Sequence, residues 1–210
     1  MALQRSSVPT LEAGDHLTRD EFERRYDLRP DIHKAELVQG VVYVPSPVKI
    51  EDHSEPVSLM TGWLRFYAAT HPDVRVGNDG TVRLSPTDVV QPDVMMWRRE
   101  GSTARIDADK YLEGAPELVV EVAASSAAYD LHTKKESYRR AGVKEYIVWR
   151  PLDGMIDWLR LTPEGEYKNV LPDHDGNIES SVFPGLRLSV PRMLEGDPAA
   201  ILPPGFEMQG

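Results

Sequence analysis

The chain contains no cysteine. That excludes a disulfide framework and any thiolate metal site. No uncharged apolar run approaches the ~20 residues of a membrane-spanning helix, and the opening MALQRSSVPTLEAGD lacks the apolar core of a signal peptide. A cytoplasmic location is therefore expected. There is no P-loop, no GxGxxG and no GxSxG elbow, so the familiar phosphate-binding loops and the hydrolase serine turn are excluded. His16, His33, His71, His132 and His174 show no HxxxH or other zinc spacing. Basic charge is scarce as well: the formal net charge is −10, which argues against a protein that coats nucleic acid broadly.

What is present suits one soluble domain. The chain has 210 residues, 40% hydrophobic and 28% charged, enough for a sizeable core. Residues 1–15 read as a flexible leader, 16–195 as the domain and 196–210 as a disordered tail. Thr18 and Glu21 have capping-box spacing, so a short helix is expected from Thr18. AELVQGVVYVP (35–45) suggests a hairpin turning at Gln39-Gly40. Val57, Met60, Trp63, Leu64 and Tyr67 recur at helical spacing between Asp52 and Thr70. Strands are expected near 74–77, 81–84 and 93–97, followed by a polar, mobile loop over 98–109. The stretch 114–149 reads as strand, basic helix, strand, the signature of a parallel crossover. Gly142 fits the end of that helix. Further strands are expected near 155–161, 166–171 and 186–190. The fold class is mixed α/β, a central mixed sheet flanked by helices.

Three acids interrupt apolar strand runs: Glu36 in AELV, Asp93 in QPDV and Glu121 in LVVEV. Buried acids need partners, and carboxylates on neighbouring strands suit a hard divalent cation, Mg²⁺ or Mn²⁺. Such an ion activates water and offsets charge on a phosphate undergoing attack. Asp130, Lys134 and Tyr138 are spaced by four and share a helix face. Lys134 is thus the candidate to support the attacking water, with Asp130 beside it. The helix and its exit also carry Lys135, Arg139, Arg140, Lys144 and Arg150, a basic patch that could face a polyanion.

The ELVxG hairpin, the QPDV strand, the GAPxLVVEV strand and the DLxxKxxxYxxAGVxEY helix together resemble the Uma2 family, formerly known only as a domain of unknown function. The resemblance runs roughly from Leu17 to Leu161. It implies a restriction-endonuclease-like fold of the PD-(D/E)xK superfamily and a metal-dependent nuclease acting on DNA. Carried over, Asp93 and Glu121 become metal ligands and catalytic acids, Glu36 an additional acid and metal ligand, and Lys134 the catalytic lysine. The superfamily lysine lies two residues beyond the strand acid; here that position is Ala123, and the helix lysine takes its place. Nuclease sites often act in pairs, which makes a homodimer plausible.

Each residue also has a plainer reading. Glu121 and Asp93 could be structural acids, Glu36 an exposed strand residue, and Lys134 a partner of Asp130 at i,i+4. Tyr138 and the four tryptophans fit a core. Gln91 and His53 could face the cleft or solvent. Two competing functions remain: a non-catalytic module that keeps the nuclease fold and binds nucleic acid or protein, and a metal-dependent phosphoesterase acting on small nucleotides.

Overall fold

The run LVVEV forms β9 (Leu118–Val122), and all five of its residues are buried. The computed structural model describes residues 9–202. β9 is central in a six-stranded sheet with β3 (Val74–Gly77), β6 (Val94–Arg98), β10 (Glu145–Arg150), β11 (Met155–Leu161) and β12 (Tyr167–Asn169), in the order β12-β11-β10-β9-β6-β3. β9 and β10 are parallel, Glu121 opposite Val148; the remaining pairs are antiparallel. The parallel pair is joined through a π-helical turn (Tyr129–Lys134) that runs into α3 (Lys135–Ala141).

β-branched and aromatic residues cover both faces of this sheet, as a strand buried on two sides requires. On one face Leu118, Val120 and Val122 join Met60, Trp63 and Leu64 of α2 (Glu55–Thr70). On the other, Val119 and Ala123 meet Tyr138, Tyr146 and Val82. Because side chains alternate along a strand, Glu121 points to this second face.

A second six-stranded sheet lies beyond that face, in the order β2-β1-β5-β4-β8-β7. Its strands are β1 (Glu36–Val38), β2 (Val41–Tyr43), β4 (Val82–Ser85), β5 (Asp88–Val90), β7 (Arg105–Ile106) and β8 (Leu112–Glu113). Gln39 and Gly40 both have positive φ, 54° and 78°, the two-residue turn expected between β1 and β2. From β5 the chain crosses through Gln91-Pro92-Asp93 into β6, passing from one sheet to the other. A small hairpin, β13 (Asn177–Glu179) with β14 (Arg187–Ser189), and α4 (Val190–Leu194) follow.

Several sequence expectations give way. α1 (Arg19–Tyr26) begins after Thr18, but no side-chain cap forms; Arg24 and Arg25 take the Glu21 carboxylate instead. In the described part of the leader, 9–15, which is otherwise largely exposed, Leu11 is buried with Phe22 and Leu37, and the Gly14 N–H donates to the Val42 carbonyl. Within the expected tail, Pro198–Ile201 form a 3₁₀ turn capped by Asp197, with Ala200 buried in the core. Residues 1–8 and 203–210 lie outside the described residues. The stretch 98–109 contains β7, and its Asp107 binds Arg83 at 2.6 Å. The basic patch is largely neutralised: Arg139 and Arg140 pair with Glu136, and Arg150 with Asp153 and Asp157.

Candidate active site

Asp93 ends the crossover between the two sheets, and Pro92 before it keeps the chain extended. β6 and β9 pair Val94 with Val120, so the next position along sets Asp93 opposite Glu121. The Val122 N–H donates to Asp93 Oδ2 at 2.7 Å. Two acids from neighbouring strands of one sheet are thereby adjacent, 3% exposed each.

Glu36 reaches the same place from the second sheet. Its Oε1 accepts the Gln91 N–H at 2.7 Å and Lys134 Nζ at 3.0 Å. Lys134 Nζ lies 2.6 Å from Glu121 Oε1 and 3.9 Å from Asp130 Oδ1. Tyr138 Oη donates to the same Glu121 oxygen at 2.6 Å. The shared helix face of Asp130, Lys134 and Tyr138 is therefore real, and all three are buried. Ser126 Oγ donates to Asp130 Oδ2. Gln91 contributes its backbone only; its side chain turns to Thr81.

Two further residues belong here. Lys34, in the polar segment before β1, sets Nζ 3.3 Å from Asp93 Oδ1 and 3.5 Å from Asp79. His53 sets Nε2 3.3 Å from Asp93 Oδ2. It stands on a π-helical turn, Ile50–Ser54, that leads into α2. No sequence signal marks Lys34, and His53 is marked only by its place at a helix start. Lys34, Glu36, His53, Asp93, Glu121, Asp130 and Lys134 line one cleft of about 620 Å³, walled on one side by Tyr43 and the Pro45–Lys49 segment. Tyr43 and Tyr129 stack at 4.2 Å within it.

Four carboxylates (Glu36, Asp93, Glu121, Asp130) face two lysines (Lys34, Lys134), a formal excess of two negative charges when every acid and lysine is counted as ionised and histidine as neutral. The consequences show in the ionisation of each group. Burial pushes Glu121 up to about 8; Asp93, Asp130 and Glu36 add to the rise and Lys134 opposes it. Burial also raises Asp130. For Asp93 burial works upward too, but His53, Lys34 and the Val122 N–H outweigh it and hold the group at about 2. Burial would lower Lys134; Glu121, Glu36 and Asp130 overcome it and keep the ammonium charged. Lys34 is raised in the same way, by Asp93, Glu121 and Glu36 against burial.

The donor set fits a small hard cation. The oxygens are carboxylate, the negative charge is in excess, and the hydrogen bonds to Glu121 fall on Oε1, leaving Oε2 outside them. The three sequence-predicted acids line one cleft but do not meet at a point, because Lys134 Nζ stands between Glu36 and Glu121. Among the described residues, the metal-capable groups whose ligand atoms all lie within 4.8 Å of one another are Asp173, His174 and Asp175. All three are exposed, and Asp173 is engaged by Arg187 and by the Asn177 and Asp175 N–H groups.

Comparison with known proteins accords with this architecture. A search of curated proteins returns no match. Among solved structures, one described as "a putative nuclease belonging to DUF820 from Anabaena variabilis ATCC 29413" superposes with a TM-score of 0.64 at 16% identity. The match covers 86% of this chain and 98% of that one, so the two share a fold. The family model described as "Putative restriction endonuclease" matches residues 19–191. The chain belongs to the Uma2 family.

Proposed function

We propose that the protein is a metal-dependent endonuclease that hydrolyses phosphodiester bonds in DNA, with its active centre in the cleft between the two sheets. The observation that carries this reading is the convergence of Asp93, Glu121, Glu36 and Lys134, from four separate segments, on one cleft with unbalanced negative charge. The family description supports nuclease chemistry.

Asp93 and Glu121 would hold a Mg²⁺ or Mn²⁺ ion, with Glu36 assisting. When bound, such an ion lowers the pKa of a water and offsets charge on the phosphate under attack. The chain's own residues supply the rest. Lys134 keeps its proton and acts as a fixed positive charge rather than as a base. Its pairing with Glu36 and Glu121 holds the ammonium in place before substrate arrives, so little reorganisation is needed. Lys34 is the more exposed lysine, 28% for its side chain, and lies where a phosphate entering the cleft would meet it. Tyr138 fixes the Glu121 carboxylate from behind.

Replacing Glu121 removes one ion ligand and one anchor of Lys134 together. Glu121→Ala should lower Mg²⁺-dependent cleavage of supercoiled plasmid by at least ~100-fold. Cleavage at the wild-type rate would reject this centre.

The net charge of −10 favours one second reading, a non-catalytic module that keeps the fold. Calorimetry with Mg²⁺ and Mn²⁺ separates the two: absence of any metal binding would support the module.

A further inference from the structure

We infer that the cleft takes an unpaired stretch of DNA, one base of it stacked on Tyr43, so that single strands rather than closed duplexes are the preferred substrate. This rests on the nuclease reading above and names the form of nucleic acid that the same site admits.

Two aromatic rings stand immediately beside the buried charges. Tyr43 on β2 lies directly opposite Glu36 on β1, and opposite residues of antiparallel strands share a face. Tyr129 precedes Asp130 on the turn that also carries Lys134. The two rings stack at 4.2 Å, 18° from parallel, so Tyr129 backs one face of Tyr43. Tyr43 is half-buried and lines the cleft. Tyr129 Oη is buried with no hydrogen-bond partner. A buried hydroxyl left unpaired costs stability, so this ring is kept at the cleft to the fold's disadvantage.

The same cleft continues as apolar surface. Pro45, Pro47, Val48 and Leu152 line it, and Val48 and Leu152 are 58% and 66% exposed. Exposed apolar side chains grouped in this way mark a contact surface. Buried charges thus adjoin an aromatic and apolar wall. A nucleotide has the matching parts, an anionic phosphate and a flat base with apolar faces.

Pairing decides whether such a face is available. In a closed duplex each base is covered above and below by its neighbours, and none can lie on a tyrosine. An unpaired strand offers those faces, and stacking on aromatic side chains is a general means of holding it. Space argues the same way: about 620 Å³ is the volume of a small-molecule pocket, which suits a nucleotide and not a paired double strand. Charge agrees as well. A duplex carries about twice the phosphate charge per unit length of one strand, and the chain's net charge is −10. The single strand meets less repulsion. Action on a duplex would first require a base to be unpaired and unstacked.

The test uses the full-length protein with Ca²⁺ and an oligodeoxynucleotide of about 12 nucleotides, within the range of known single-strand sites. Fluorescence anisotropy should show the single strand bound at least tenfold more tightly than the same sequence as a duplex. Tyr43→Ala should weaken single-strand binding by roughly tenfold and narrow the gap to duplex, and Tyr43→Trp should restore it. A strand carrying 5-iodouracil, irradiated on the wild-type protein, should cross-link to Tyr43, as mapped by mass spectrometry. Equal affinity for the two forms would overturn the inference, as would tighter duplex binding or a cross-link confined to residues outside the cleft. If any of these accompanies Glu121-dependent cleavage of plasmid with Mg²⁺, the nuclease reading stands and the stacking site falls. Absence of both DNA binding and cleavage would overturn the two together. The strand comparison and the cross-link need no substitution, so a poorly folded variant would not blunt the result.

Discussion

Glu121 shows how a single residue joins stability to chemistry. It stands in a valine strand with a lysine and a tyrosine on one oxygen, and burial still lifts it to about 8 from an ordinary 4.5. In the unfolded chain it would lose its proton near 4.5. Between these values the folded state binds more protons than the unfolded one, so stability falls as pH rises from 4.5 through 8. The metal-free protein should therefore unfold at lower urea concentration at pH 8 than at pH 5.5, and Glu121→Gln should flatten that difference. Equal pH dependence in the two proteins, measured by urea titration with chelator present, would show that Glu121 is ionised throughout.

The same residue shows what the sequence could reveal. Asp93, Glu121 and Lys134 were legible because each breaks an apolar pattern or shares a face with one that does. The pattern alone does not separate site from scaffold, however. Glu145 also lies in an apolar strand and is fully buried, yet Ser180, Ser181 and Arg160 consume its oxygens. Glu117 is likewise occupied by Ser102 and the Arg98 N–H. Lys34 could not be found in this way, since nothing local distinguishes a lysine in a polar loop; only the crossover at Asp93 brings it to the site.

Among the elements, the two helical segments at the cleft depart from α-geometry in the same manner. Ile50–Ser54 and Tyr129–Lys134 are both π-helical, and between them they carry His53, Asp130 and Lys134. A 3.6-residue period predicts plain helix here, so the sequence reading found the segments but not their wider turn. The short strands β5, β7, β8 and β13 escaped for a different reason. Two or three residues carry too little alternation to register as a strand, and they exist because neighbours pair with them. Helix ends were clearer. Gly142 closes α3 at φ 89°, and a Cβ there would meet nothing within 4 Å. The cost of Gly142→Ala is therefore conformational alone, about 1–2 kcal/mol. Gly142→Asn should cost less, since Asn tolerates this region. Chemical denaturation of the three proteins would test the order, and an Ala variant as stable as wild type would contradict it.

For the molecule as a whole, the proposed function requires an acidic protein to approach a polyanion. The body carries a net charge of −10, and the arginines of α3 and β10 are spent on neighbouring acids. The cleft itself is lined by Lys34, Lys49 and Lys134 against Asp31, Glu36, Asp52, Asp93, Glu121 and Asp130. Lysines alone leave this surface repulsive to phosphate. In the proposed centre, the divalent ion would supply attraction as well as chemistry. DNA binding should then depend on metal even where no cleavage occurs. Fluorescence anisotropy with a short duplex and Ca²⁺, which takes oxygen ligands like the other hard cations, should show binding that disappears with chelator. The logarithm of affinity should fall with that of salt at a slope no steeper than about −3, since each neutralised phosphate contributes about −0.9 and the cleft offers only three lysines. Equal affinity with chelator, or a much steeper slope, would place the DNA on some surface other than this cleft, and the acids would then have to be explained as scaffold.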